Sequence, residues 1–385
     1  MTVADNVYAP PLNESKSELV TEPSVVTKVT KTALAAEDQL IYVKVVRSFA
    51  LLVIVTLHVA FPLIYLYQSI TYGEWWIANN FYILGKIGSP LFTMVSGLLL
   101  LNPTKEQPIG VFFKKRFFKV LLPFLAWSTI YLVWRMLARD EHFRPWAILV
   151  LYVEGPVYYH LWFIQMILGL YLATPILRIY IRHANRENLT YFLSIWLVSV
   201  AILPLTKRFL GFEVGIDVVV TTGYVGFFVL GHYLRDVTLT RRQIIPVLLA
   251  VVAALLFTQY MTYALTIRTE GGYDNFFVAN DSLNLIVVAV GLFLFFKTVD
   301  YGALFQSVPL LEKIVLWISS CSLGIYFVHV LIIEELASGH LGFTLSVASF
   351  HPLLSIPSLA LLTMVLSVLT TSVLKQIPLV RQIVP

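Results

Sequence analysis

The chain has 385 residues, 58% of them hydrophobic and 13% charged, with a formal net charge of +5. Soluble domains carry about 25% charged residues, so this composition excludes a soluble globular enzyme and implies a polytopic membrane protein. A single cysteine, Cys321, excludes a disulfide framework, and no solvated basic face with interleaved aromatics offers itself to a nucleic acid.

Residues 1–40 are rich in Ser, Thr, Val, Glu, Lys and Pro without a helical stripe, and read as a disordered cytoplasmic tail. Directly behind the first residues there is no apolar core of the kind a signal peptide needs. The remainder, 41–385, reads as one all-α integral-membrane domain. About ten apolar stretches could cross a bilayer as helices: 43–67, 81–101, 118–137, 158–180, 189–205, 214–234, 244–263, 282–296, 314–333 and 353–374. The sixth is interrupted by Asp217 and glycines, and the eighth is short. Asp217 reads either as an intramembrane carboxylate or as the mark of a misplaced boundary.

With both termini placed in the cytoplasm, twenty of the twenty-seven Lys and Arg residues fall on that side. Seven fall outside: Lys86, Arg135, Arg139, Arg144, Lys207, Arg208 and Arg268. This bias is the one expected of a multi-pass protein of a cytoplasmic membrane.

The first span carries a polar stripe. Arg47 stands at its entrance and His58 eleven positions later, inside the apolar run. At ~100° and ~1.5 Å per residue the two share one helix face, ~16 Å apart along the axis. Ionisable groups are costly in lipid, so the stripe is a candidate site; the plainer reading makes Arg47 a topological anchor and His58 a hydrogen-bonding group. As chemistry, His58 suits a general base near neutral pH.

Ahead of the third span lies Lys114-Lys115-Arg116-Phe-Phe-Lys119. Such clusters flank many spans for topology alone. Arg116 and Lys119 nevertheless stand one helical turn apart, so both could face one polyphosphate, Arg116 as a planar fork and Lys119 as a point charge.

Opening the fourth span, Tyr158-Tyr159-His160-Leu-Trp162-Phe163 fits an interfacial aromatic belt and, with Glu154 nearby, equally fits a sugar-binding mouth. In the ninth span, Ser322-Leu-Gly324-Ile-Tyr326-Phe-Val-His329 places a further histidine in apolar surroundings, as a packed group or a substrate contact. No Gly-Xaa-Ser-Xaa-Gly elbow, phosphate-binding loop or metal-ligand spacing occurs, and Cys321 has no readable base partner.

Taken in order, these stretches resemble the acyltransferase family 3 membrane proteins of bacteria, especially the polysaccharide O-acetyltransferases. Carrying the likeness are Arg47 with His58, the run Gly88 to Leu100 through Ser96-Gly97, Arg116-Phe-Phe-Lys119 before Pro123, His160-Leu-Trp162-Phe163 with Tyr171-Leu-Ala-Thr-Pro175, and Ser322 to His329. The sequence departs at Lys119, where the family commonly has arginine, which loses a planar fork. It departs again at Ser48, where a smaller residue or glycine is usual.

The resemblance implies transfer of an acyl group, acetyl first among them, from acyl-CoA to a hydroxyl of a polysaccharide sugar or its lipid-linked precursor. His58 and Arg47 would be catalytic. Arg47, Lys115, Arg116 and Lys119 would hold the CoA phosphates on the cytoplasmic side of the bacterial inner membrane. Glu154, His160, Trp162 and His329 would line the acceptor site, with acyl-CoA, the glycan and membrane lipids as partners and no metal. The ~16 Å between Arg47 and His58 is comparable with an extended pantetheine arm. Three readings compete: a transporter or flippase of a glycan or lipid-linked sugar, a different membrane acyltransferase with a tunnel histidine, and a non-catalytic assembly component.

Overall fold

The computed structural model describes the backbone of residues 25–102, 107–215, 223–269 and 272–385, with side chains from residue 41 onward. Residues 41–385 form one compact unit. The expected tail, 1–40, and Asp217 lie outside the residues described in full.

Among the described residues there is no strand, and nine helices are long and apolar enough to cross a membrane. The protein is an all-α, multi-pass membrane protein. The elements are α1 (Ile41–Ile64), α2 (Tyr72–Lys86), α3 (Gly88–Leu100), α4 (Ile109–Ala138) and α5 (Tyr159–His183). They continue with α6 (Arg186–Leu210), α7 (Val225–Tyr233), α8 (Arg241–Thr266), α9 (Leu283–Thr298), α10 (Pro309–Ser338) and α11 (Pro352–Leu374).

Local chemistry explains the breaks. Thr71 and Glu74 close a capping box that starts α2. The helix breaks at Ile87 because Pro90, in the first turn of α3, has no N–H for the Lys86 carbonyl. α2 and α3 together make one span, Tyr72–Leu100, longer than the sequence pattern suggests. In α4 a π turn over Phe117–Leu121 runs up to Pro123, and in α6 two π turns, Val198–Ile202 and Thr206–Leu210, flank Pro204. Widened turns let a helix continue past a residue that lacks an N–H donor.

The sixth expected span, 214–234, contributes only the nine-residue α7 to the described residues. α7 nevertheless lies deep in the unit, with Phe227, Phe228 and Val229 fully buried. It crosses α3 at very short range. A Cβ on Gly97 would stand 1.7 Å from the Phe228 carbonyl oxygen, and one on Gly231 would stand 1.9 Å from that of Met94. Small residues permit such approach, which replaces the hydrophobic drive that lipid cannot supply.

Cations gather the helix ends at one side. Arg178 at the end of α5 donates to the Leu100 carbonyl (2.7 Å), and Arg235 after α7 donates to Asn102 (2.9 Å). The Lys297 ammonium at the end of α9 donates to the carbonyls of Leu234, Arg235 and Val237 at 2.6–2.8 Å. Lys375 after α11 reaches the Ser320 carbonyl in α10 (2.7 Å). Arg208 at the end of α6 pairs instead with Asp274 beyond α8, at the far side. Leu210 thus stands at the far end and Leu234 at the basic end.

Replacing Gly97 by alanine forces α3 and α7 apart, and overpacking of this kind costs on the order of 1–3 kcal/mol. A Gly73→Ala variant, whose added Cβ meets nothing within 4 Å, serves as the control. Thermal unfolding of the detergent-solubilised protein should show a lowered midpoint for Gly97→Ala and an unchanged one for Gly73→Ala.

Candidate active site

Three histidines from three helices meet inside the unit. His58 comes from α1, His160 from the 3-10 turn Tyr159–Leu161 that opens α5, and His329 from the middle of α10. Their ring centroids are 5.0 Å (His58–His329), 5.4 Å (His160–His329) and 6.2 Å (His58–His160) apart. All three are buried, at 9%, 1% and 0% relative exposure for His58, His160 and His329.

The hydrogen bonds dictate the tautomers. His329 Nδ1 lies 3.1 Å from the Ile325 carbonyl oxygen, which can only accept, so Nδ1 carries the proton and Nε2 holds a lone pair. His329 Nε2 lies 3.0 Å from His58 Nδ1. With both rings neutral, His58 Nδ1–H must donate there, and His58 Nε2 is left as an unprotonated acceptor. Backbone carbonyl, His329 and His58 form a relay whose open end is a basic nitrogen.

That nitrogen belongs to a ring lining a cavity of about 220 Å³, with Tyr82, Lys86, Ser89, Tyr159, His160 and Trp162 among its walls. Neither ring nitrogen of His160 has a hydrogen-bond partner, although the residue is buried. Asn280 also keeps an unpartnered buried oxygen, Oδ1, while its amide nitrogen is bonded to the Tyr224 hydroxyl and to Ser89 Oγ (3.3 Å). Buried polar atoms without partners are uncommon in folded proteins, and here they converge on one cavity.

His160 owes its position to a network at the far end of the helices. Tyr158 donates to Glu334 (2.7 Å) and stacks on Tyr131 at 4.8 Å, and Arg135 donates to the Val157 carbonyl (2.8 Å). The Tyr326 hydroxyl donates to the His160 carbonyl. Arg139 pairs with Glu334 (2.8 Å). Arg135 also bonds Glu141 in the adjoining loop, and holds that carboxyl below its ordinary pKa. Tyr131 locks α4 to α10, donating to the Phe327 carbonyl (2.8 Å) and accepting from the Leu331 N–H (3.1 Å).

At the basic end, Arg47 donates to Ser322 Oγ of α10. The Arg116 guanidinium lies over the rings of Phe112 (5.3 Å) and Tyr171 (5.2 Å), and that of Arg178 over Phe112 (5.0 Å). Among the described residues none of these three arginines takes part in a salt bridge, and Arg116 Nε is buried without a partner. Arg47 and Arg116 both act electrostatically on Tyr171, and Arg116 on Arg178, so the three form one cationic cluster. Uncompensated guanidinium groups in aromatic surroundings suit a multiply charged anion.

The sequence candidates separate accordingly. His58, His160, His329 and Trp162 come together, and Arg47 and Arg116 come together about three turns of α1 away. Lys115 and Lys119 are exposed. The π turn between Arg116 and Lys119 undoes the single-turn spacing that would have aimed both at one anion. Glu154 caps the short helix Pro145–Val153 on the surface and is absent from the cavity wall. Lys86, counted among the outer cations, lies instead within a span and lines the cavity. Arg178, Ser89, Tyr224, Asn280 and Glu334 are site residues that pattern reading passed over. Only Arg178 and Lys86 carried a signal, as cations at or inside apolar stretches. No group of three or more His, Cys, Asp or Glu among the described residues is arranged to hold a metal ion.

A comparison with protein-family models matches residues 40–372 to the one described as an acyltransferase domain, acyltransferase family 3. Searches of curated proteins and of solved structures returned no match.

The relay makes a spectroscopic prediction. In ¹⁵N-histidine-labelled protein at neutral pH, His58 and His329 should both show the Nδ1–H tautomer, assigned by loss of each signal in the corresponding His→Gln variant. An Nε2–H form of His58 would contradict the arrangement.

Proposed function

The chain belongs to acyltransferase family 3, and on that premise we propose that it is a membrane O-acyltransferase using acyl-CoA, acetyl-CoA in the first instance, to esterify a hydroxyl of a glycan or its lipid-linked precursor. The observation that carries the reading is the free Nε2 of His58 at the end of a tautomer-fixed relay, inside a cavity with unpartnered polar groups.

In the proposed reaction the acceptor hydroxyl gives its proton to His58 Nε2 as its oxygen attacks the thioester carbonyl. A C–O bond forms and the C–S bond breaks. The proton passes from His58 to the departing thiolate, so free CoA leaves as the thiol. His329 Nε2 accepts from His58 Nδ1–H throughout and stabilises the transient imidazolium, the part that a carboxylate plays in a Ser-His-Asp triad. His160, which has no protein partner, is the candidate donor to the oxygen that becomes negative in the tetrahedral intermediate. Arg47 is a poor candidate for that part, because it lies ~16 Å along α1 from His58.

Arg47, Arg116 and Arg178 would bind the phosphates of CoA at the basic end, placed in the cytoplasm by the distribution of cations. The pantetheine arm would then run along α1 towards His58. Exposed Lys115 and Lys119 would attract the anion from solution rather than grip it. The bacterial inner membrane is the matching location.

His58→Ala should lower acyl transfer by about 10²- to 10⁴-fold, the usual range for losing a general base. Membrane insertion should be unchanged; near-normal turnover by the purified variant would remove His58 from the chemistry. Arg178→Ala should raise the KM for acyl-CoA by roughly 10- to 100-fold with kcat largely kept, as expected for losing a charge-assisted hydrogen bond. Release of free CoA, followed with a thiol reagent, measures both, and substrate flux without CoA release would favour transport instead.

A further inference from the structure

The histidine cavity has a larger neighbour. A groove of about 880 Å³ runs between α6, α8 and the segment that leads into α9, and it shares Tyr82 and Lys86 with the histidine cavity. Its wall is mostly apolar, with Val200, Leu205, Ala254, Phe257, Leu283 and Val287 as representatives. Phe257, Leu283 and Val287 are exposed although they belong to spans, so the groove opens sideways towards lipid. α8, which forms one wall, is the least embedded of the nine spans.

The polar side chains of the groove are Lys86, Ser199, Asn275, Asp281, Ser282 and Asn284, and Lys86 stands at the junction with the histidine cavity. Its ammonium lies 5.6 Å from the Tyr82 ring centroid and interacts with the Asp281 carboxylate across the groove without a direct salt bridge among the described residues. An ammonium within a span is costly, and it is retained where it meets polar matter passing through. A hydrocarbon chain suits the groove, a hydroxylated head suits the cavity with its open His58, His160 and Asn280 atoms, and Lys86 marks where the two would join.

We propose that the acceptor is an amphiphile taken laterally from the bilayer, with its chain in the α6–α8–α9 groove and its sugar-like head beside His58. This rests on the acyl-transfer reading above and specifies its second substrate: a lipid-anchored hydroxyl compound, rather than a free polymer reaching in from the aqueous side. Donor and acceptor then approach by separate routes, the anionic donor from the basic end and the amphiphile from the side.

The test uses the full-length protein in nanodiscs with two photoreactive probes of equal chain length, each bearing a diazirine in the chain. One is a dodecyl glucoside and the other a dodecyl phosphocholine. Peptide mass spectrometry should place the glucoside adducts on Phe257, Leu283 and Val287. Ala253→Trp, which fills the groove, should reduce them about tenfold by displacing the chain. Leu249→Trp, on a lipid-facing position of α8 outside the groove, should leave them unchanged. Lys86→Gln should weaken glucoside labelling and leave phosphocholine labelling as it was. Equal labelling by both probes, adducts scattered over all lipid-facing helices, or indifference to Ala253→Trp overturns the proposal. Labelling does not depend on turnover, so His58→Ala should keep it. If wild type labels in the groove but releases no CoA, the fault lies with the acyl-transfer reading instead.

Discussion

Two imidazoles facing each other at 3.0 Å inside a lipid-embedded bundle can hold only one proton between the facing nitrogens. An unpaired ring nitrogen is costly in a low-dielectric interior, so the partner of each outer nitrogen decides the whole arrangement. The Ile325 carbonyl makes that decision. A carbonyl oxygen accepts only, so His329 presents a lone pair to His58, and His58 presents its own lone pair to the cavity. Which nitrogen of His58 is free to take a proton is therefore set by a backbone group of α10, four residues before His329.

The scaffold keeps this geometry from relaxing. Tyr131 ties α4 to the backbone of α10 on either side of His329, at Phe327 and Leu331. Tyr326 holds the turn that carries His160, while Arg135, Tyr158 and Glu334 anchor the loop before it. α3 and α7 interlock at Gly97 and Gly231, and Tyr224 just ahead of α7 completes a polar triangle with Ser89 and Asn280. Most of these ties join elements far apart in sequence. A bilayer supplies no hydrophobic force between helices, so close packing and buried hydrogen bonds position the three histidines.

Charge is arranged along the same axis. Among the described residues Arg47, Arg116 and Arg178 cluster at one end without a salt bridge, and arginine–glutamate pairs close the other at Arg135–Glu141 and Arg139–Glu334. An unpaired cationic cluster is an open site for an anion, whereas a paired one is a structural clasp. The contrast separates an end suited to an anion from an end held in shape by ion pairs.

How much of this was legible in the chain alone follows from the range of the forces involved. Hydropathy and cation placement are local properties, and they determined the helical membrane class, nearly every span, and the alternation of ends. Helical periodicity placed Arg47 and His58 on one face of α1. Family-like motifs marked His160 and His329 without saying that they meet His58. Three things escaped local reading. Prolines at 123 and 204 widen neighbouring turns, so Lys119 leaves the face that Arg116 occupies. Glu154, near His160 in sequence, caps a surface helix, while Glu334, 174 residues further on from His160, supports the site. Finally, the identity of the basic nitrogen rests on a contact between residues 271 apart, because the placement of a proton depends on which acceptor the fold brings within 3 Å. The sequence determined that ionisable groups lie within the membrane; only the tertiary structure decided which of them face one another, and with which atom.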